Sequence, residues 1–325
     1  MRATSRKNRT PHLSPSKNRT SPRLPPATEK DGLHPRNRHR SRYDFARLVD
    51  ASPELAEFIG PNPRGDQTID FADPAAVTAL NRALLRSDYA VAHWDLPPGY
   101  LCPPVPGRAD YIHHVADLLA EGNAGAIPRG EGVAVLDIGV GANCIYPIIG
   151  VHDYGWRFVG TDIDPVALEA ARKIVAANRP LAGRVDLRLQ PSPLEIFQGV
   201  VKRGERFAVT ICNPPFHSSA AEAAAGTQRK LRNLAGGQPG PTVRNFGGQS
   251  HELWCAGGEL AFVRRMITQS AALPAEACGW FTAIVSKRES LSGLERTLHA
   301  TRAREIRTIA MAHGQKQSRI LAWRF

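Results

Sequence analysis

The tetrapeptide Asn213-Pro214-Pro215-Phe216 combines residue types that can hold and alkylate a planar nitrogen. Two consecutive prolines fix φ and remove two backbone donors, so the turn is stiff and its carbonyls are not consumed by a neighbouring strand. The Asn213 side-chain oxygen and the Pro214 carbonyl can then accept both hydrogens of a ring-conjugated amino group, while Phe216 offers a face for stacking the ring. Such geometry suits methylation of a planar nitrogen. Taken alone, the same four residues also read as a structural turn.

A second group of residues lies upstream. In Val133-Ala134-Val135-Leu136-Asp137-Ile138-Gly139-Val140-Gly141-Ala142-Asn143 an apolar strand runs into a glycine-rich turn. Gly139 and Gly141 allow close approach of the backbone to a ligand. Cys144 stands where a dinucleotide fingerprint has its third glycine, and Asp137 would repel a pyrophosphate. A carboxylate there suits a cation. S-adenosyl-L-methionine carries a sulfonium and an ammonium, and it is the cofactor these residues imply. Another apolar run, 156–161, ends in Asp162, about 20 residues beyond the glycine turn, where an acid accepts from ribose hydroxyls. Each of Asp137 and Asp162 could instead merely cap a helix. Their order along the chain, followed by the Asn-Pro-Pro-Phe turn, favours the ligand reading.

To position these residues the chain must alternate strand and helix. Asp164 and Pro165 open a helix over 165–178, which precedes a strand at 185–190. A helix at 194–201 leads to the buried strand 207–212, with Asn213 at its carboxyl end, where ligands gather in open α/β sheets. Helix 259–272, strand 280–286, helix 290–300 and an antiparallel strand pair, 304–311 and 318–325, complete a domain spanning 129–325. The fold class is α/β: a Rossmann-like, doubly wound, mostly parallel sheet. Residues 43–128 form a small helical region in which Asp73-Pro74 starts one helix, and the run 108–114 enters another that ends near Gly122. The polar stretch 217–251 is expected to be a substrate lid that carries the basic residues Arg229, Lys230, Arg232 and Arg244.

Charge is distributed unevenly. Residues 1–42 hold twelve Lys/Arg against two acids and so carry +10 of the total +12. With almost no apolar residues this tail is expected to be disordered, serving either as a solubilising extension or as a phosphate-binding arm. Five cysteines, odd in number and without a C-x-x-C pair, argue against a disulfide framework and against a metal site. The absence of an 18-residue apolar run or a hydrophobic leader points to no membrane span and a cytoplasmic location. No residue pattern specifies an oligomeric state.

The run 136–147 and the Asn-Pro-Pro-Phe turn, with Pro106-Gly107-Arg108-Ala109-Asp110-Tyr111-Ile112-His113-His114, Asn245-Phe246-Gly247-Gly248-Gln249 and Glu252-Leu253-Trp254-Cys255, resemble the RlmF-type adenine-N6 methyltransferases of bacterial large-subunit ribosomal RNA. The resemblance runs from about residue 37 to 325 and leaves 1–36 outside it. It implies a class I methyltransferase fold, and a large-subunit ribosomal RNA or pre-ribosomal particle as partner. It also implies cofactor contacts from Arg108, Gly139, Asn143, Asp162 and Ser192, with Asn213 catalytic. A guanidinium at 108 can pair with the methionine carboxylate, or it can orient the helical region through a salt bridge. Ser192, between two prolines, can equally be turn chemistry. Two other functions fit the same residues: N5 methylation of a glutamine side chain, and a non-catalytic ribosome-assembly factor that binds RNA. The intact Asp137, Gly139, Gly141, Asp162 and Asn213 argue against a degenerate site.

Overall fold

The computed structural model describes residues 32–225, 248–313 and 316–325. Helix α1 (Phe45–Ala51), a two-stranded ribbon of β1 (Ile59–Pro61) and β2 (Gln67–Ile69), and helices α2 (Pro74–Tyr89) and α3 (Val105–Glu121) come first. The starts of α1 and α2 were legible. Asp44 accepts from the Arg47 N–H, and Asp73 accepts from the Ala75 N–H with Pro74 at the first helical position.

The sheet that follows holds β3 (Ala134–Ile138), β4 (Arg157–Asp162), β5 (Val185–Leu189), β6 (Phe207–Cys212), β7 (Cys278–Val285), β8 (Glu305–His313) and β9 (Lys316–Arg324). Their spatial order is β5-β4-β3-β6-β7-β9-β8. Strands β3 to β7 pair in parallel, and β9 is antiparallel to both of its neighbours. The doubly wound sheet and its antiparallel end match expectation. The chain winds outward from β3 to β5, then returns to place β6 on the other side of β3, so the switch point where ligands bind lies between β3 and β6. Every residue of β3 is buried, as a central strand covered on both faces requires. Helices α4 (Ile145–Tyr154), α5 (Pro165–Ala177), α6 (Gly258–Ser270) and α7 (Ser290–Ala300) complete the layers.

Two expectations are corrected. The helix at 194–201 is a series of turns. Pro191 and Pro193 supply no N–H, Gly199 adopts φ +84°, and Gln190 ties the loop by accepting from the Ser192 N–H and donating to the Gln198 carbonyl. Ile196, Phe197 and Val200 nevertheless fill the core, which is why the segment carries a helix-like apolar pattern.

The tail does not run unfolded to residue 42. His34, Asn37 and His39 are buried. The His34 N–H and the Asn37 amide donate to Asp110 Oδ1 at 2.6 and 3.1 Å, and Arg36 reaches Asp117, Tyr154 and the His113 carbonyl. Polar composition concealed this because the partners are acids and carbonyls of α3 rather than apolar neighbours.

The core of the helical region is continuous with that of the sheet. One contiguous cluster joins Phe45, Leu48 and Leu84 of the helical region to Tyr111, Ile148, Val209 and Ile320. A second cluster on the other face packs α6 and α7 through Val263, Met266 and Leu294. Among the described residues no helix is long and apolar enough to cross a membrane, and no His/Cys/Asp/Glu group could hold a metal ion.

Candidate active site

The carboxyl ends of β3, β4 and β6 open onto a shared cleft, at the place where ligands gather in open α/β sheets. Arg108, Gly139, Gly141, Asn143, Asp162 and Asn213 line it together, although they are spread over more than a hundred positions of sequence.

The glycine turn adopts φ +77° at Gly139 and +65° at Gly141, a region that residues with a Cβ enter at a cost. Asp162 fixes this turn from the next strand. Its Oδ2 accepts from the Gly141 N–H at 2.9 Å, while Oδ1 accepts from the Asp164 N–H at 3.0 Å. Asp164 in turn caps α5, accepting from the Val166 N–H. The capping role therefore belongs to Asp164, and Asp162 faces the cleft. Asn143 closes the turn: its Oδ1 accepts from the Ile145 N–H at 3.1 Å and its carbonyl accepts from the Trp94 indole at 2.9 Å. Cys144, forced to φ +51° at the start of α4, is buried, and burial raises its thiol pKa and leaves it inert.

Arg108 projects from the first turn of α3. It donates to the Tyr146 hydroxyl at 3.0 Å, with its guanidinium 5.6 Å from the centre of that ring. Among the described residues it makes no ion pair with a carboxylate, so the alternative of a helix-orienting salt bridge falls away. The residue lines the cleft, and a guanidinium carries five N–H donors.

Asp137 lies beneath the glycine turn, fully buried, and neither carboxylate oxygen has a hydrogen-bond partner. Desolvation raises its pKa well above the usual carboxylate range, the nearby Asp162 raises it further, and Arg108 acts in the opposite direction. A carboxylate in this position is compensated by a cation in front of it or by a proton on it.

Asn213 follows β6 directly, and its side-chain oxygen is likewise buried without a partner. The strand end beneath it is held by the Tyr111 hydroxyl, which accepts from the Cys212 N–H at 3.2 Å and meets Thr282 Oγ1 at 2.7 Å. The Thr282 hydroxyl donates to the Thr210 carbonyl, so Tyr111 is the donor to Thr282. Pro215 lines the cleft, whereas Phe216 is half-buried against the main core.

Ser192 stands outside the cleft lining. Its Oγ accepts from the Leu194 N–H at 3.3 Å, which is turn chemistry, and Gln190, Glu195 and Ile196 of the same loop supply that wall instead. The sequence reading also missed Leu101 and Glu252. Glu252 belongs to a motif already noted, yet nothing in the spacing showed that it returns to the cofactor side. It does so because 217 and 254 pair as a parallel bridge, with the His217 N–H donating to the Leu253 carbonyl at 3.1 Å. Arg229, Lys230, Arg232 and Arg244, and most of the expected lid, lie outside the described residues.

An RNA methyltransferase family model matches residues 27–325. Ribosomal RNA large subunit methyltransferase F of Serratia proteamaculans is 55% identical over 298 residues, covering 91% of this chain and 88% of the relative. The protein of the same name from Aeromonas salmonicida is 56% identical over 296 residues, with 91% and 92% covered. Among solved structures, the catalytic domain of human METTL16 in complex with MAT2A 3'UTR hairpin 1 superposes with a TM-score of 0.76 at 31% identity, covering 91% of this chain and 96% of that one. The N-terminal domain of human METTL16 in complex with SAH gives a TM-score of 0.70 at 28% identity, with 90% and 98% covered.

Proposed function

The chain belongs to the RNA methyltransferase family, and we propose that within it this protein transfers the methyl group of S-adenosyl-L-methionine to N6 of an adenine in large-subunit ribosomal RNA. The observation that carries the reading is the buried, unpartnered Asn213 side-chain oxygen at the carboxyl end of β6, in the same cleft as the Gly139–Gly141 turn and Asp162.

The residues present fit the cofactor. Asp137 is a buried carboxylate without a hydrogen-bond donor, so a bound cation offsets a desolvation cost that otherwise favours its protonation. Asp162, already oriented by two backbone N–H groups, accepts from ribose hydroxyls. Arg108 offers its outward donors to the methionine carboxylate. The cofactor supplies a methyl group on a positively charged sulfur.

The protein supplies position. Adenine N6 is a poor nucleophile because its lone pair is delocalised into the ring. Asn213 and the Pro214 carbonyl accept its two hydrogens, which favours pyramidal nitrogen and aims the lone pair. Preorganised acceptors of this kind need no strong base. A base must leave its own stack to enter the cleft, and Phe216, half-buried against the core beside the cleft, would have to turn toward it to take up that stacking. Phosphate contacts fall to the basic N-terminal arm and to Arg229, Lys230, Arg232 and Arg244, with naked RNA or an assembling particle in the cytoplasm as partner.

Incubation with methyl-labelled cofactor and either ribosomal RNA or a glutamine peptide tests the assignment. Label should appear in RNA as N6-methyladenine. Label in the peptide, or in neither, would overturn it.

A further inference from the structure

Among the described residues, the charged side chains lining the cleft are one guanidinium, Arg108, and three carboxylates, Asp162, Glu195 and Glu252. Asp162 is oriented by the Gly141 and Asp164 N–H groups at the end of β4, where the ribose is placed, and Glu195 stands on the Gln190 to Ile196 wall. Glu252 is placed differently. Its Oε2 accepts from the Leu101 N–H at 3.1 Å and the Gln249 N–H at 2.7 Å, which turns the carboxylate inward. Its Oε1 points at the glycine turn: a Cβ added to Gly141 would lie 3.7 Å from it. Chain connectivity also ties it to the methyl-acceptor end, because its neighbour Leu253 accepts from the N–H of His217, four residues after Asn213.

We propose that Glu252 is a cofactor-charge selector: its carboxylate, held between the glycine turn and the Asn213 end of the cleft, favours the sulfonium form of the cofactor over the neutral thioether left after methyl transfer. The inference rests on the reading that the cleft takes S-adenosyl-L-methionine. Methyl transfer removes one positive charge from the bound molecule while the carboxylate stays in place, so the attraction is lost with the methyl group and the spent cofactor is released more readily. Two hydrogen bonds from backbone N–H groups fix the carboxylate beforehand, so little reorganisation offsets the attraction.

Calorimetric dissociation constants for S-adenosyl-L-methionine and for S-adenosylhomocysteine, measured without RNA on the full chain, test this. Glu252→Gln keeps an oxygen for the Leu101 and Gln249 N–H groups and removes the charge. Affinity for the sulfonium form should fall about tenfold while affinity for the thioether changes by less than about threefold. Equal losses for both ligands, or no loss for either, would overturn the proposal and leave Glu252 as a clamp on the 99–101 wall. If the Gln variant does not fold, Glu252→Asp and Glu252→Asn form an isosteric pair that differs in charge alone, and the same difference is required between them. Failure of the wild-type protein to bind either ligand would sink the cofactor reading itself, which separates the two claims.

Discussion

Tyr111 and Cys212, 101 positions apart, meet where α3 crosses the carboxyl end of β6: the Tyr111 hydroxyl accepts from the Cys212 N–H at 3.2 Å. The same hydroxyl donates to Thr282 on β7, so one buried phenol joins the helix that carries Arg108 to the strand that carries Asn213. Tyr111→Phe leaves the Cys212 N–H and the Thr282 oxygen without that partner. Stability should fall by roughly 1–3 kcal/mol, read as a lower urea midpoint with an unchanged slope. An unshifted midpoint would show that the bond is dispensable.

Asn213→Ala removes an acceptor needed mainly in the transition state. Turnover should drop by two or more orders of magnitude, on the order of 3 kcal/mol, with cofactor affinity nearly intact. Single-turnover methylation beside calorimetry separates the two quantities. Near-normal turnover would remove Asn213 from the chemistry.

The contact between the N-terminal segment and α3 should weaken in acid. Burial pushes the His113 pKa down to about 4 from an ordinary 6.5, partly opposed by Asp153, and burial likewise lowers that of His34. A histidine held neutral in the fold contributes its full stability above the unfolded value of 6.5 and loses it as the pH falls toward the folded value. Between pH 7 and pH 5 the His113 contribution should shrink by about 2 kcal/mol. In Tyr154 it already has a neutral partner, at 2.7 Å from Nδ1. Urea midpoints at the two pH values should therefore differ less in His113→Gln than in wild type; an identical pH response would contradict the assignment.

Truncation distinguishes the two parts of the basic N-terminus. Residues 1–31 hold eight Lys/Arg and two acids, whereas 33–42 supply the buried contacts to α3. Deleting 1–31 should leave the melting temperature unchanged and flatten the slope of log K for RNA against log salt, by at most about 0.7 per lost phosphate contact on single strands. Deleting 1–42 should also lower the melting temperature. Equal melting temperatures in the two truncations would mean that the Asn37 and His34 contacts contribute nothing.

Much of this architecture was legible because it is local. Asp164-Pro165 announced α5, and the apolar runs 134–138 and 207–212 announced central strands whose ends place Asp137 and Asn213. What escaped was nonlocal. Glu252 reaches the cleft through the pairing of 217 with 254 and through hydrogen bonds to the 99–101 segment, Tyr111 reaches Cys212 from a distant helix, and Asn37 is buried by hydrogen bonds that no hydrophobic pattern reports. Ser192, flanked by two prolines, makes hydrogen bonds within its own turn.

The chemistry proposed for this cleft is methyl transfer to adenine N6 in large-subunit ribosomal RNA. Mass spectrometry of ribosomal RNA fragments from cells with and without the gene tests it most directly. One large-subunit fragment, heavier by a single methyl group mapped to adenine N6, should be present with the gene, absent without it, and restored by the wild-type chain but not by Asn213→Ala. An RNA methylation pattern identical in both strains would contradict it.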